Sequence, residues 1–210
     1  MHPLALFPHP FVPAATPRPA VFLDRDGVLN ENRADYVRTR QQVVMLPGVE
    51  EALGALAASA FAVVVVTNQS ALGRGLMSAA TLAEINHDIV AWSEQAGGRV
   101  DAVYACPHAP DAGCPCRKPR PGMLTQAAAD LNLDLSRSWL VGDAVSDLEA
   151  AAAAGCQPLL VLTGRGARQR ERLRGHALAA TPVVADLAAA VRWVLGAGDR
   201  LAEFKKTCEF

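Results

Sequence analysis

The sequence predicts an α/β protein: a central parallel sheet with helices on both faces. Three observations carry this. Short, almost wholly apolar runs recur along the chain. Segments of helical composition separate them. The runs also lack the in-out alternation of a half-solvated strand, which fits a sheet covered on both sides. Such sheets bind ligands at the carboxyl ends of their strands, so the residues just after each run are where chemistry is expected.

The elements follow in order. "AVFLD" (20–24) reads as a short buried strand. "PGVEEALGALAAS" (47–59) opens on proline and reads as a helix, and "FAVVVVTN" (61–68) is a β-branched strand. "TLAEINHDIVAWSEQAG" (81–97) begins with a T-x-x-E capping box and ends at glycine, so a helix is placed there. "VDAVYA" (100–105) is a third strand, "PGMLTQAAADLNL" (121–133) a helix, and "SWLVGD" (138–143) a fourth strand. "DLEAAAAAG" (147–155) is a helix closed by Gly155, and "PLLVL" (158–162) is a fifth strand.

The chain has 210 residues, which suits one domain at 20–195 with a Pro-rich arm at 1–19 and a tail at 196–210. Six prolines before Ala20 make the arm read as disordered or extended. A basic start and unbroken apolar stretch are missing, so it does not read as a secretory signal. The longest apolar run, Ala52 to Val66, is 15 residues, short of the ~20 that span a bilayer. A soluble, cytoplasmic protein without a membrane partner is expected. A net charge of −1 and 5% aromatic residues argue against a nucleic-acid partner. Five cysteines without an export signal argue against a disulfide framework.

Three strand ends collect polar residues. Asp24 and Asp26 follow the first strand, Thr67 and Asn68 end the second, and Asp143 and Asp147 follow the fourth. Alone, Asp24 with Asp26 reads more readily as a solvated acidic turn, Thr67 with Asn68 as an ordinary polar turn, and Asp147 as a favourable charge at a helix N-terminus; Asp143 has no such simple reading. Together with Lys118 they form a set. Carboxylates gathered at one sheet edge repel unless a cation joins them, and hard oxygen ligands in small number suit Mg²⁺. Lys118 and the Thr67 hydroxyl suit a phosphoryl group. Asp24 can then serve as a nucleophile and Asp26 as general acid and base.

"FLDRDGVLN", "VVVVTNQS", "CRKPRPGM" and "VGDAVSD" resemble, in order, the four motifs of the haloacid dehalogenase superfamily of phosphatases. The resemblance runs from about Ala20 to Leu195, including a final strand and helix in "VVADLAAAVRWVL". It implies a Rossmann-like sheet with a minimal cap, Asp24 as nucleophile and Asp26 as acid/base. It also implies Mg²⁺ on Asp24, Asp143 and the backbone carbonyl of Asp26, with phosphate contacts from Thr67, Asn68 and Lys118. A phosphate-accepting receiver and an inactive binding module are the readings from other classes. Asp26 speaks against the receiver, and the full set of acidic residues against the inactive module.

Cys106 and His108, then Cys114 and Cys116, form C-x-H and C-x-C pairs around a short loop. Thiolate and imidazole ligands select Zn²⁺, and four of them make a closed, structural site. A disulfide, a catalytic thiol and a zinc ribbon for nucleic acid are the weaker readings. Arg117 and Lys118 follow Cys116 directly, so zinc in loop 106–116 would fix both cations, with Arg117 suited to a second anionic group of the substrate. This loop resembles those of two phosphatase groups, the heptose-1,7-bisphosphate 7-phosphatases of lipopolysaccharide-core heptose synthesis and the histidinol-phosphatases. "TNQSALGRG" and "CRKPRPGML" look more like the heptose group, which implies a small sugar bisphosphate as substrate; a monomer is expected. Ala144 is a departure, because many relatives carry a cation there.

Arg74 is a further candidate for substrate contact. Arg165, just after the fifth strand, could line the edge of the site but reads more readily as an ordinary surface arginine, and "RGARQRERLRGH" reads as a solvated helix face. His87 reads as a surface residue, Cys156 as a small buried one, and Cys208 as a thiol of the tail.

Overall fold

The computed structural model describes residues 2–9 and 15–196. Strand β1 (Leu4–Leu6) lies in the N-terminal arm, and β2 (Ala20–Leu23) begins the predicted series. There follow α1 (Val49–Ala57), β3 (Ala62–Asn68), α2 (Ser70–Gly73), α3 (Ala79–Gln95) and β4 (Ala102–Cys106). Next come α4 (Gly122–Leu131), β5 (Trp139–Gly142), α5 (Val145–Ala154), β6 (Gln157–Val161) and α6 (Gly166–Arg172). β7 (Val183–Val184) and a closing helix α7 over 187–196 complete the described chain.

The seven strands form one sheet in the order β1-β4-β3-β2-β5-β6-β7, parallel except for β1. Successive residues of each strand serve opposite faces. Val21, Leu23, Val63 and Val65 pack with α1, α3 and α7, through residues such as Leu53, Ile85 and Val191. Phe22, Val64, Val66 and Tyr104 pack on the other side with Met123, Leu124 and Ala127 of α4 and Ala150 and Ala151 of α5. This is the expected three-layer arrangement. Because β2, β3, β5 and β6 run in parallel, their carboxyl ends open on one edge.

Most element bounds shift by a residue or two, and two differences stand out. Helix α3 starts at Ala79, because Ser78 is its N-cap and accepts a hydrogen bond from the Thr81 N–H. Thr81 is therefore inside the first turn. Segment 69–75, to which the sequence assigns no helix or strand, contains the short helix α2.

The arm, read as disordered or extended, is extended and paired at Leu4–Leu6, which lie antiparallel on Val103–Ala105 of β4. Phe7 meets Tyr104 edge to face at 6.1 Å, and a His9 ring nitrogen lies 2.7 Å from Glu94. The arm covers what would otherwise be an open strand edge. Residues 197–210, with Cys208, lie outside the described residues, and no described helix is long and apolar enough to cross a membrane.

Deleting residues 1–9 uncovers the β4 edge. The expected result is a thermal midpoint lower by a few degrees, about 2–6 °C, with more self-association. Differential scanning fluorimetry and light scattering after gel filtration check both.

Candidate active site

The parallel strands deliver their carboxyl ends to a cavity of about 460 Å³. Asp24, Asp26, Thr67, Asn68, Arg117, Lys118, Asp143, Asp147 and Arg165 all line it. Asp24 continues β2, and its N–H donates to the Val141 carbonyl of neighbouring β5 at 3.0 Å. That main-chain bond fixes Asp24 beside Asp143, which continues β5.

Lys118 is the centre of the polar network. Its ammonium lies 2.9 Å from Asp24 Oδ1 and 2.6 Å from Asp147 Oδ1, and donates to the Val66 carbonyl at 2.8 Å. Only 3% of Lys118 is exposed. Burial pulls its pKa down, but Asp147 and Asp24 outweigh this and raise it, so the ammonium stays charged. Asp147 also accepts from the Ala144 N–H at 3.0 Å, so its expected place in the first turn of α5 is real and is combined with an ion pair.

Asp24 is pushed up to about 7 by burial, helped by the Asp147 and Asp143 charges and opposed by Lys118. Asp143 is pushed up to about 6 by burial and by Asp147, against the pull of the Arg165 N–H, which donates to its Oδ2 at 2.8 Å. Asp24, Asp143 and Asp147 offer ligand oxygens that all lie within 4.8 Å of one another. A buried, mutually repelling oxygen set of this kind fits a divalent cation such as Mg²⁺. Asp147 is already committed to Lys118. The Asn32 amide lies 3.4 Å from both the Asp26 carbonyl and Asp143 Oδ2, which brings those two oxygens round a common point. Asp24, Asp143 and the Asp26 carbonyl thus remain a fitting ligand set.

Asp26 differs in setting from Asp24. Arg25 Nε and Nη2 donate to its carboxylate at 3.0–3.2 Å, and Asn30 and Gln69 each donate at 2.8 Å. Burial pushes its pKa up, yet the Arg25 charge and these hydrogen bonds hold it below the usual range. Gln69 also donates to the buried Thr67 hydroxyl at 2.8 Å, tying the first two motifs together.

The remaining candidates are placed unequally. Both ends of the Asn68 amide are used on the Lys118 main chain, accepting from its N–H and donating to its carbonyl at 3.1 Å each. Asn68 thus steadies the lysine, and it lines the cavity as well. Arg117 lines the cavity and donates to the Ser70 hydroxyl at 2.7 Å. Arg74 is exposed at the end of α2 and is not among the cavity-lining residues, so it is not brought to the site. Arg165, read as a surface residue, is a wall of the cavity, and its guanidinium donates to Asn32 at 3.2 Å. Asn32, Arg33 and Tyr36 also line the cavity without having been singled out. Nothing in their local spacing marks them; the flap between β2 and α1 carries them there.

The Cys106, Cys114 and Cys116 sulfurs and His108 Nδ1 stand 3.3–3.6 Å apart over five of their six pairings. That is too long for disulfides, whose S–S length is about 2.05 Å. It is close to the edge of a tetrahedron with metal–ligand lengths of about 2.0–2.3 Å. The four residues fit a closed zinc site. Its backbone is packed tightly on neighbours. A Cβ on Gly73 would lie 2.4 Å from the Ala109 nitrogen, and one on Gly122 would lie 2.5 Å from the Pro115 carbonyl oxygen.

Asp143 is held by close glycines. A Cβ on Gly164 would lie 2.3 Å from Asp143 Oδ2 and 2.5 Å from Gly27 Cα, and Gly164 has φ +57°. Gly164→Ala is therefore expected to displace Asp143 and lower magnesium-dependent activity by more than about 10-fold, by analogy with other misplacements of reacting groups. A magnesium titration of the variant's activity checks this.

Residues 115–190 match the HAD-hydrolase-like family. The D-glycero-beta-D-manno-heptose-1,7-bisphosphate 7-phosphatase of Pseudomonas aeruginosa is 44% identical over 151 residues, covering 72% of this chain and 85% of that protein. The enzyme of the same name from Bordetella bronchiseptica is 43% identical over 175 residues, covering 83% of this chain and 97% of the relative. The crystal structure of the B. bronchiseptica D,D-heptose 1,7-bisphosphate phosphatase, complexed with magnesium and phosphate, has a TM-score of 0.78 at 42% identity. That comparison covers 85% of this chain and 98% of the other. A relative 43% identical over 83% of this chain shows the family: the chain belongs to the HAD-like hydrolases, in the family of the D-glycero-D-manno-heptose-1,7-bisphosphate 7-phosphatases.

Proposed function

We propose that this protein removes the 7-phosphate from D-glycero-D-manno-heptose 1,7-bisphosphate, with Asp24 as nucleophile. The observation that carries this is the Asp24 carboxylate on the cavity floor, ion-paired to buried Lys118 and set beside Asp143. The relatives favour this substrate over histidinol phosphate.

A magnesium ion held by Asp24, Asp143 and the Asp26 carbonyl would supply positive charge for the oxygens of the transferring phosphoryl group. The residues do the rest. Lys118, held charged, neutralises further charge on that group and positions Asp24. An Asp24 oxygen attacks phosphorus, and the bond from phosphorus to the C7 oxygen breaks. Asp26 gives its proton to that leaving oxygen. In the second step water attacks the aspartyl-phosphate while the Asp26 carboxylate takes its proton, releasing inorganic phosphate and Asp24. The contacts to Arg25, Asn30 and Gln69 favour the ionised form needed in this second step. The first step needs the carboxyl protonated, which the negative charge of an incoming bisphosphate favours.

Arg117 suits the distal phosphate, because a guanidinium can offer two parallel donors to one phosphate. The four-ligand zinc set leaves no open position, so its role is structural: it fixes Cys116 and, through the next two bonds of the chain, Arg117 and Lys118. The enzyme acts as a cytoplasmic monomer on a small molecule and serves heptose synthesis for lipopolysaccharide.

Phosphate release from heptose 1,7-bisphosphate and histidinol phosphate, measured side by side with Mg²⁺, tests the reading. One phosphate per heptose is expected; preference for histidinol phosphate would overturn the substrate. Asp24→Asn should lose at least about 1,000-fold in turnover, since the nucleophile is gone. Arg117→Ala should raise KM for the bisphosphate by about 10-fold or more, and change it little for a heptose 7-phosphate lacking the distal group. Metal analysis should find one zinc per chain, lost in Cys114→Ala together with substrate affinity. Unaltered affinity and turnover in that variant would separate zinc from the site.

A further inference from the structure

Arg25 heads the fully buried side chains by size among the described residues, with 1% of it exposed. A buried guanidinium must find partners for its N–H groups. Nε and Nη2 face Asp26, and Nη1 donates to Asn86 Oδ1 at 3.1 Å. Asn86 is itself 5% exposed and sits on the buried face of α3, beside Ile85 and Ile89. It is eight residues past the Ser78 cap, so it serves no helix end. An amide there has poor helix propensity and must be desolvated. What it contributes in return is the acceptor for Arg25.

We infer that Asn86 is a positioning residue for the acid/base step: acting through Arg25, it fixes where the Asp26 carboxylate sits. The inference deepens the proposed phosphatase reading and rests on it. The Arg25 main chain is fixed independently, since its carbonyl accepts from the N–H groups of Val28, Leu29 and Asn30 at 2.8–3.3 Å. What remains to be set is the direction of the guanidinium, and Asn86 holds the one nitrogen that Asp26 does not. Without Asn86 the guanidinium can turn, carrying the Asp26 carboxylate with it. Asn30 and Gln69 still hold Asp26, so catalysis should be weakened rather than lost.

The test exploits the leaving group. A sugar alkoxide needs a proton from Asp26 as it departs, whereas 4-nitrophenolate does not. The full chain, loaded with zinc and magnesium, is mixed rapidly with each substrate and the first turnover is followed. Asn86→Ala should slow the first turnover of heptose 1,7-bisphosphate by about 10–100-fold, and that of 4-nitrophenyl phosphate by less than about 3-fold, with KM little changed. Asn86→Asp keeps the acceptor oxygen and should restore most of the heptose rate. Ser93→Ala removes another buried polar group of the same helix, whose hydroxyl has no hydrogen-bond partner among the described residues, and should leave both rates unchanged. An equal loss with both substrates, or no loss with the heptose, or failure of Asn86→Asp to recover, would overturn the inference. If the wild-type chain released phosphate from neither substrate, the phosphatase reading would fall first and this one with it.

Discussion

The site is organised around one buried ammonium. Lys118 comes from the loop before α4, Asp24 from the end of β2 and Asp147 from the first turn of α5, and its ion pairs with both acids are direct. A charge at this depth is costly unless paired, and removing one partner of such a pair typically costs about 3–5 kcal/mol. Surface pairs such as Arg174 with Glu171 are worth at most about 1 kcal/mol and organise nothing. The buried trio therefore decides how these three segments meet. With two carboxylates on one ammonium and a third acid, Asp143, close by, the cluster keeps an excess of negative charge. A divalent cation would offset that excess.

Steric limits keep that arrangement in place. Gly142 leaves room for Asp147, since a Cβ there would lie 2.2 Å from the Asp147 Cβ. Gly27 takes φ +98°, and a Cβ on it would lie 2.2 Å from Asp143 Oδ2. The Thr163 hydroxyl donates to the Gly27 carbonyl at 2.7 Å, joining the turn after β6 to the turn after β2. The acids approach so closely because main chain, not side chain, fills the space between their strands.

What was legible in the sequence follows from how each signal is encoded. Fully apolar strands are contiguous in sequence, so β2 to β6 and the polar residues at their ends could be read directly. The residues of the Cys/His cluster are close in sequence as well, in two tight pairs. Asn32, Arg33 and Tyr36 were not legible, because a flap brings them to the cavity and a polar loop looks alike whatever it covers. Arg165 was misjudged for the same reason: its partners, Asn32 and Asp143, are far away in the chain. Asn86 looked like an ordinary helical residue, since its acceptor role appears only once α3 is packed on the turn after β2. The antiparallel pairing of Leu4–Leu6 was hidden behind prolines that argue against regular structure without excluding three paired residues.

A metal in the loop between β4 and α4 would answer a physical limit. Residues 107–115 are prolines, alanines, a glycine, an aspartate, a histidine and a cysteine, with almost no apolar bulk to bury. Ordering roughly ten such residues costs on the order of 10 kcal/mol or more in backbone entropy. A structural zinc ion returns free energy of that same order, about 10–16 kcal/mol in small zinc domains. The end of the loop must also carry two adjacent cations, Arg117 and Lys118, one of them into the protein interior. The main-chain clamp from Asn68 holds Lys118 from the side of β3, and the cluster that includes Cys116 holds it from the other. A lysine gripped at both ends of its own peptide unit can be driven into a nest of carboxylates without the loop giving way, which is the mechanical condition for a preorganised phosphoryl site.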